Sequence, residues 1–298
     1  MIRLEGVTKL FGGVTAVDNI TLSVRPGEIF GLVGPDGAGK TTTIRMLTGI
    51  MEASAGKISV LGRENLEENK ADIGYVPQKF SLYGDLTVME NILLIGALYG
   101  AARRSVEQRA EEILAFTNLL SFRDRLADNL SGGMKQKLAL AAGLMHRPQI
   151  YFLDEPTAGV DPVSRREFWQ LLYHLNKEGM TAFVSTSYMD EAELCSRIAF
   201  MHNGKIVACH TPSGLKEAYP HHVLELSMCG REIKKQLAGC SIMGINAFGD
   251  KYHLVVDDPQ RTIPMITAAL EQAGSGPVAL KEIPPTLEDV FVALAGEV

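Results

Sequence analysis

The run Gly34-Pro35-Asp36-Gly37-Ala38-Gly39-Lys40-Thr41 fits GxxxxGK[ST], the spacing of a phosphate-binding loop. Its glycines let backbone N–H groups close around a β-phosphate, and the N-terminus of a following helix adds positive dipole. In that geometry Lys40 reaches the β- and γ-phosphates and Thr41 offers a hydroxyl to Mg²⁺, while Pro35, Ala38 and Thr42 complete the nucleotide-contacting run. Asp36 is the odd member, because a carboxylate beside polyphosphate is unfavourable unless it points away. A second candidate group is Asp154-Glu155, two carboxylates closing the apolar run 150–153. Asp154 can hold the metal through water and Glu155 can polarise an attacking water; a solvated strand end before Pro156 is the plain alternative. Third, Ser131-Gly132-Gly133 opens a helix, where the serine serves as N-cap and the helix N-terminus as an anion site.

For these groups to meet, one apolar strand must feed the loop at Gly34 and another must end at Asp154. Apolar runs at 2–10, 20–24, 28–33 and 57–61 read as strands, with turns at Arg25-Pro26-Gly27 and Ala55-Gly56. From 87 to about 145 the period changes. There Val88, Ile92, Ile95 and Tyr99, then Val106, Ala110, Ile113 and Leu114, recur at helical spacing and predict an inserted helical subdomain. A strand at 150–153, a helix at 162–177 and a strand at 181–186 resume the layered α/β pattern. A hairpin of 198–202 and 205–209 turns at Asn203-Gly204. Past 212–220 the order is strand 222–228, helix 232–237, strand 242–247, strand 252–256, helix 263–272, strand 278–282. That β-α-β-β-α-β series predicts a small α+β ferredoxin-like domain. The expected division is residues 1–218, with the helical subdomain at about 79–145, and an accessory domain at 219–298.

Composition narrows the class. The 298 residues are 46% hydrophobic and 21% charged, ample for a buried core, and the formal net charge of −6 argues against a nucleic-acid partner. Apolar stretches such as 92–98 and 291–295 are far short of the roughly 18 residues that span a bilayer. No apolar signal segment follows Met1, and Cys195, Cys209, Cys229 and Cys240 lie in no metal-ligand or CxxC spacing, so free thiols in a reducing cytosol are expected.

Taken in order, these motifs resemble the ATP-binding subunit of an ABC transporter over residues 1–218. The resemblance implies an α/β P-loop NTPase of ABC type, with a mixed sheet core, an antiparallel β subdomain and an inserted helical subdomain. It makes Leu130 to Gln136 the signature motif, Gln78 the Q-loop residue near the metal, Asp161 the D-loop and Phe11 the aromatic that stacks on adenine. Taken singly, Phe11 reads as core, Asp161-Pro162 as a helix start and Gln78 as a loop residue. The family further implies ATP and Mg²⁺, integral-membrane permease partners, a place on the cytoplasmic face of the membrane and pairing with a second ATPase domain. Paired cassettes sandwich ATP between the phosphate loop of one and Ser131-Gly132-Gly133 of the other. The run Pro285 to Phe291 and Ser-Gly-Gly-Met-Lys-Gln at 131–136 resemble the drug-exporter branch, and Ser-Thr-Ser-Tyr at 185–188 resembles the first cassette of tandem-cassette efflux ATPases.

One position departs from the family. Ser187 stands where a histidine normally contacts the γ-phosphate and positions the catalytic water. Serine is shorter and carries no positive charge. Loss of such a preorganised donor costs about 10²–10³ in rate, or roughly 3–4 kcal/mol. The expectation is therefore an ATPase slow in isolation, favouring a heterodimer or tandem half over a homodimer. The competing readings are a soluble ABC ATPase acting on ribosomes or DNA, and a mainly regulatory ATP-binding subunit.

Overall fold

The computed structural model describes residues 1–99, 103–227, 233–273 and 279–296. Two compact units divide at Cys209 and His210. The first runs β1 (Ile2–Phe11), β2 (Val14–Val24), β3 (Ile29–Val33), α1 (Lys40–Leu47), β4 (Ala55–Val60) and β5 (Ile73–Val76). The helices α2 (Val88–Leu98), α3 (Arg103–Phe116) and α4 (Gly132–Gly143) come next. Then come β6 (Ile150–Asp154), α5 (Pro162–Lys177), β7 (Thr181–Thr186), α6 (Met189–Ala192), β8 (Arg197–His202) and β9 (Lys205–His210).

Two sheets build this unit. β2-β1-β4 is antiparallel, with Ile2 and Leu4 alternating inward along β1 and Val7 inward again past a register shift. The larger sheet has the order β5-β6-β7-β3-β8-β9 and is parallel from β5 through β8. Every residue of β3, β6 and β7 is buried, as expected of central strands covered on both faces. Asn203 and Gly204 both take positive φ, at 47° and 80°, the pair of left-handed residues that closes the β8–β9 hairpin tightly.

Some elements differ from the sequence reading. β2 begins at Val14 rather than 20, because repeated register shifts against β1 and a left-handed Asn19 break the alternation that marks a strand. β5 at Ile73–Val76 was not predicted as a strand; its four residues include Gly74 and Tyr75, too short a run to carry a period.

The second unit holds α7 (Pro212–Glu217), β10 (His222–Ser227), α8 (Ile233–Gln236), β11 (Gly244–Phe248), β12 (Lys251–Val256), α9 (Pro259–Gln272), β13 (Ala279–Ile283) and α10 (Leu287–Gly296). Its all-antiparallel sheet has the order β11-β12-β10-β13, the ferredoxin-like arrangement. Leu224, Leu226, Leu254 and Val256 on one sheet face pack with Ile233, Leu237, Ile266 and Leu270. The predicted strand end at Met228, helix start at Glu232 and strand start at Val278, with Cys229, lie outside the described residues. α7 packs against α10, which draws the division nine residues ahead of the expected boundary after 218. α10 was not predicted, and it ties to β12 through His253 and Asp289.

Candidate functional site

Parallel strands place their loops at one edge, so the segments that leave the carboxyl ends of β3, β6 and β7 gather there. Register fixes the detail: Ser185 pairs with Asp154 on one side and with Leu32 on the other. The residues just past Val33, Asp154 and Thr186 are therefore neighbours, and these are the phosphate loop, Glu155 and Ser187.

The loop from Gly34 to Gly39 wraps the start of α1. Gly39 is the N-cap with φ 107°, a conformation that favours glycine, and a Cβ there would overlap the Ala16 carbonyl. A side chain on Gly34 would overlap the Met201 carbonyl. Ala38 is buried against the core cluster that includes Met201. Lys40 is buried, and its Nζ donates to the carbonyls of Gly34 at 2.7 Å and Pro35 at 2.9 Å, so its ammonium curls back into the loop.

Glu155 forms the opposite wall. Its Oε1 lies 3.0 Å from Lys40 Nζ, and its Oε2 accepts from Gln78 Nε2 at 3.0 Å. Glu155 itself sits in the left-handed region with φ 47°, where its N–H donates to Ser185 Oγ at 3.0 Å. Ser187 Oγ lies 3.3 Å from Glu155 Oε1, 3.4 Å from Lys40 Nζ and 3.3 Å from Asp36 Oδ1. Together Asp36, Gly37, Gly39, Lys40, Thr41, Thr42, Gln78 and Glu155 line a cleft of about 260 Å³. Asp36 does not point away: its oxygen is within hydrogen-bond reach of the Ser187 hydroxyl and it lines the cleft, so the carboxylate that sequence reading marks as unfavourable beside polyphosphate stays at the site.

Asp154 is 1% exposed and takes hydrogen bonds from Ser185 Oγ at 2.7 Å and Thr41 Oγ1 at 3.1 Å, both on Oδ1. Burial pushes its carboxyl above the usual carboxylate range, the two hydroxyls pull it back and Glu155 adds to the rise. A Thr41 hydroxyl, the Asp154 carboxylate and the Gln78 amide oxygen are hard oxygen donors that fit Mg²⁺, which keeps waters and shares phosphate oxygens. Among the described residues no group of three or more His, Cys, Asp or Glu side chains could hold a metal by itself.

The remaining sequence candidates lie outside this cleft lining. Phe11, 45% exposed at the end of β1, has Lys9 Nζ over its ring at 5.2 Å. Ser131 caps α4, its Oγ accepting from Met134 N at 3.3 Å. Gly133 packs on Ser164, and Asp161 caps α5 by accepting from Val163 N and Ser164 N at 3.1 and 2.9 Å. Hydrogen bonds from the Ser164 backbone and side chain hold the Asp161 carboxyl below its usual range. Ser131-Gly132-Gly133 and Asp161 thus sit together on the first turns of α4 and α5.

Sequence reasoning missed the residues that hold the segment around Ser187. Glu191, 1% exposed, accepts from Thr186 Oγ1 at 2.6 Å and from Thr157 Oγ1, with Arg165 Nε 3.4 Å away. Arg165 also lies over the Tyr188 ring at 4.1 Å. Spacing alone carries no signal for a bond between positions 157 and 191. The Thr186–Glu191 pair, five residues apart across the start of a helix, is the part a sequence could suggest.

Comparison with known proteins agrees with this geometry. A family model described as "ABC transporter" matches residues 17–158. The probable multidrug ABC transporter ATP-binding protein YbhF of Escherichia coli is 43% identical over 72% of this chain, which spans 38% of that protein's length. A Nod factor export ATP-binding protein I of a Rhizobium species is 36% identical over 99% of this chain and 97% of its own. Among solved structures, a dimeric ATP-binding cassette in a post-hydrolysis state with ADP and Pi is 28% identical, with a TM-score of 0.66 over 71% of this chain and 98% of that one. By these matches the chain belongs to the ABC transporter ATP-binding proteins.

Proposed function

We propose that this chain is the ATP-hydrolysing subunit of an exporter and that its own ATP site turns over slowly. The carrying observation is Ser187, whose hydroxyl sits 3.4 Å from Lys40 Nζ and 3.3 Å from Glu155 Oε1 at the position where the family carries histidine. A neutral, short side chain there offers one hydroxyl in place of an imidazole. Glu155 is the base for the attacking water, and its ion pair with Lys40 restrains it. Phosphates of ATP compete for Lys40 and so release Glu155. Thr41 and Asp154 would hold Mg²⁺, which would offset phosphate charge, and Gln78 bridges to Glu155 from its own loop.

The other half of each site comes from a second cassette. Ser131, Gly132 and Gly133, with Asp161 beside them, present a helix N-terminus to a nucleotide held by the partner, and Phe11 stacks on adenine. A different ATPase chain, or the other half of a tandem, is favoured as that partner, because two identical Ser187 sites would both be slow. Export is inferred to run through permease subunits, with this chain at the cytoplasmic face, as the names of its transporter relatives suggest; no described helix is long and apolar enough to cross a membrane. The names of its relatives, multidrug transport and Nod factor export, point to efflux as the cargo class.

The test is ATP turnover by the purified chain beside Ser187→His and Glu155→Gln, with nucleotide binding in parallel. Tight binding with slow turnover, raised by Ser187→His and abolished by Glu155→Gln, is expected. Ordinary turnover in the unmodified chain, unchanged or lowered by Ser187→His, would overturn the slow-site reading.

A further inference from the structure

Anion sites are normally lined by donors and cations. This cleft instead sets two carboxylates, Asp36 and Glu155, against the single ammonium of Lys40. Glu155 is accounted for as the base that faces the attacking water. Asp36 is not, and its carboxylate leans over the cleft rather than away from it: Oδ1 lies 3.3 Å from Ser187 Oγ, which is itself 3.3 Å from Glu155 Oε1 and 3.4 Å from Lys40 Nζ. Ser187 is therefore a hub linking Asp36 to the end of the cleft where water attacks, and that end is where a γ-phosphate lies.

The electrostatic consequence falls unequally on the two nucleotides. ATP places its terminal phosphate, with about two of its four negative charges, beside Asp36 and Ser187. ADP ends one phosphate earlier, under Lys40 and the N-terminus of α1, and leaves the Asp36 end to water. Like charges a few ångströms apart repel strongly where the surroundings are partly dry. Ser187 sharpens the effect, because it is neutral and supplies no positive charge between the γ-phosphate and Asp36.

We infer that Asp36 is a specificity-determining residue that weakens ATP relative to ADP in this cassette by placing a negative charge at the γ-phosphate position. The inference rests on the reading that this cleft takes the nucleotide, and it deepens the account of a slow site. A cassette that favours ADP resets slowly after each turnover and leans on its partner cassette to hold the closed state.

Equilibrium binding of ATP and ADP tests this, measured by titration on the full chain without divalent metal so that no hydrolysis intervenes. Asp36→Asn and Asp36→Ser both remove the charge from an exposed loop position and leave the core untouched. Each should tighten ATP by about tenfold while ADP moves by less than about twofold, and the ATP gain should shrink as salt is raised. Equal shifts for the two nucleotides, no shift for either, or weaker ATP binding would overturn the inference. Turnover does not enter this readout. A shifted ATP-to-ADP ratio with ordinary turnover would defeat only the slow-site reading, and an unshifted ratio with slow turnover only the role of Asp36.

Discussion

Glu191 accepts a hydrogen bond from Thr186 Oγ1 at 2.6 Å, and this buried contact is what holds the residue before Ser187 in place. Thr186 in turn accepts from Tyr188 N at 3.0 Å on its hydroxyl and from Gly34 N at 3.2 Å on its carbonyl. Glu191 also takes the Thr157 hydroxyl, two residues past Glu155, and pairs with Arg165 one turn past Asp161. One carboxylate thus ties the phosphate loop, the Glu155 segment and the start of α5 to Ser187.

Replacement of Glu191 therefore acts through position. Glu191→Gln keeps the shape but removes the charge on the carboxyl, and with it charge-assisted bonds that together stabilise the fold by about 1–3 kcal/mol. Denaturant unfolding should show that loss. ATP turnover should fall while the ATP dissociation constant stays within about twofold, because the phosphate loop is linked to this side chain only through Thr186 and keeps its own hydrogen bonds to Lys40. Equal damage to binding and turnover would mean that the contact only stabilises the fold.

The two glycines of the signature run differ in kind. A methyl at Gly133 would overlap Ser164 Cβ, so Gly133→Ala must push α4 from α5, a strain of about 1–3 kcal/mol. At Gly132 the nearest atom is the Gly159 carbonyl at 4.0 Å, and Gly132→Ala should unfold at nearly the parental temperature. Thermal melts of the two variants separate a packing role from an open surface that a partner could cover.

How much the sequence revealed depends on how local each signal is. The phosphate loop, the Asp154-Glu155 strand end and the Ser131 cap are contiguous motifs, so their places in the fold were legible from spacing. α5 and β7 were legible too, since a proline start, a helical period and a buried β-branched run mark them at both ends. The direction of Asp36 was not, because it depends on Ser187, 151 positions later. Thr157 and Glu191 are likewise joined only by the parallel pairing of β6 and β7. β2 was cut short by its bulges and α10 was overlooked because its apolar run gave no boundary.

His146 should give the first unit an acid-sensitive element. Its Nε2 lies 2.7 Å from the Ile73 carbonyl and so carries the hydrogen, its Nδ1 is buried without a partner among the described residues, and Tyr99 stacks on the ring at 3.9 Å. Burial pushes its pKa below the ordinary 6.5, and the Ile73 hydrogen bond opposes this only in part. The unfolded chain then binds the proton more readily, so stability is complete above about pH 6.5 and declines as pH falls through that value. Urea unfolding at pH 8 and pH 5.5 should show a smaller loss for His146→Phe, which keeps the stack and removes the titrating group. An identical loss in both proteins would place the acid sensitivity elsewhere.

The second unit offers the sharpest contrast between a buried and an exposed pair of the same chemistry. His253 Nδ1 lies 3.0 Å from Asp289 Oδ1, and Asp289 is 1% exposed. Asp289 Oδ2 also accepts from Thr286 N at 2.9 Å and Thr286 Oγ1 at 2.7 Å, so one carboxylate caps α10 and fastens it to β12. His221 and Asp257 lie 2.8 Å apart, but the Asp257 side chain is open to water. Asp289→Ala strands a buried imidazole and two donors, and should destabilise this unit by about 1–3 kcal/mol. Asp257→Ala should change it by less than about 1 kcal/mol, the usual worth of a solvated pair. Hydrogen exchange reads both: amides of β10 and β12 should lose protection in Asp289→Ala alone, while those of β3 and β6 stay as they were. Equal loss of protection in both units would mean that Asp289 supports the whole chain rather than the packing of α10 on its own sheet.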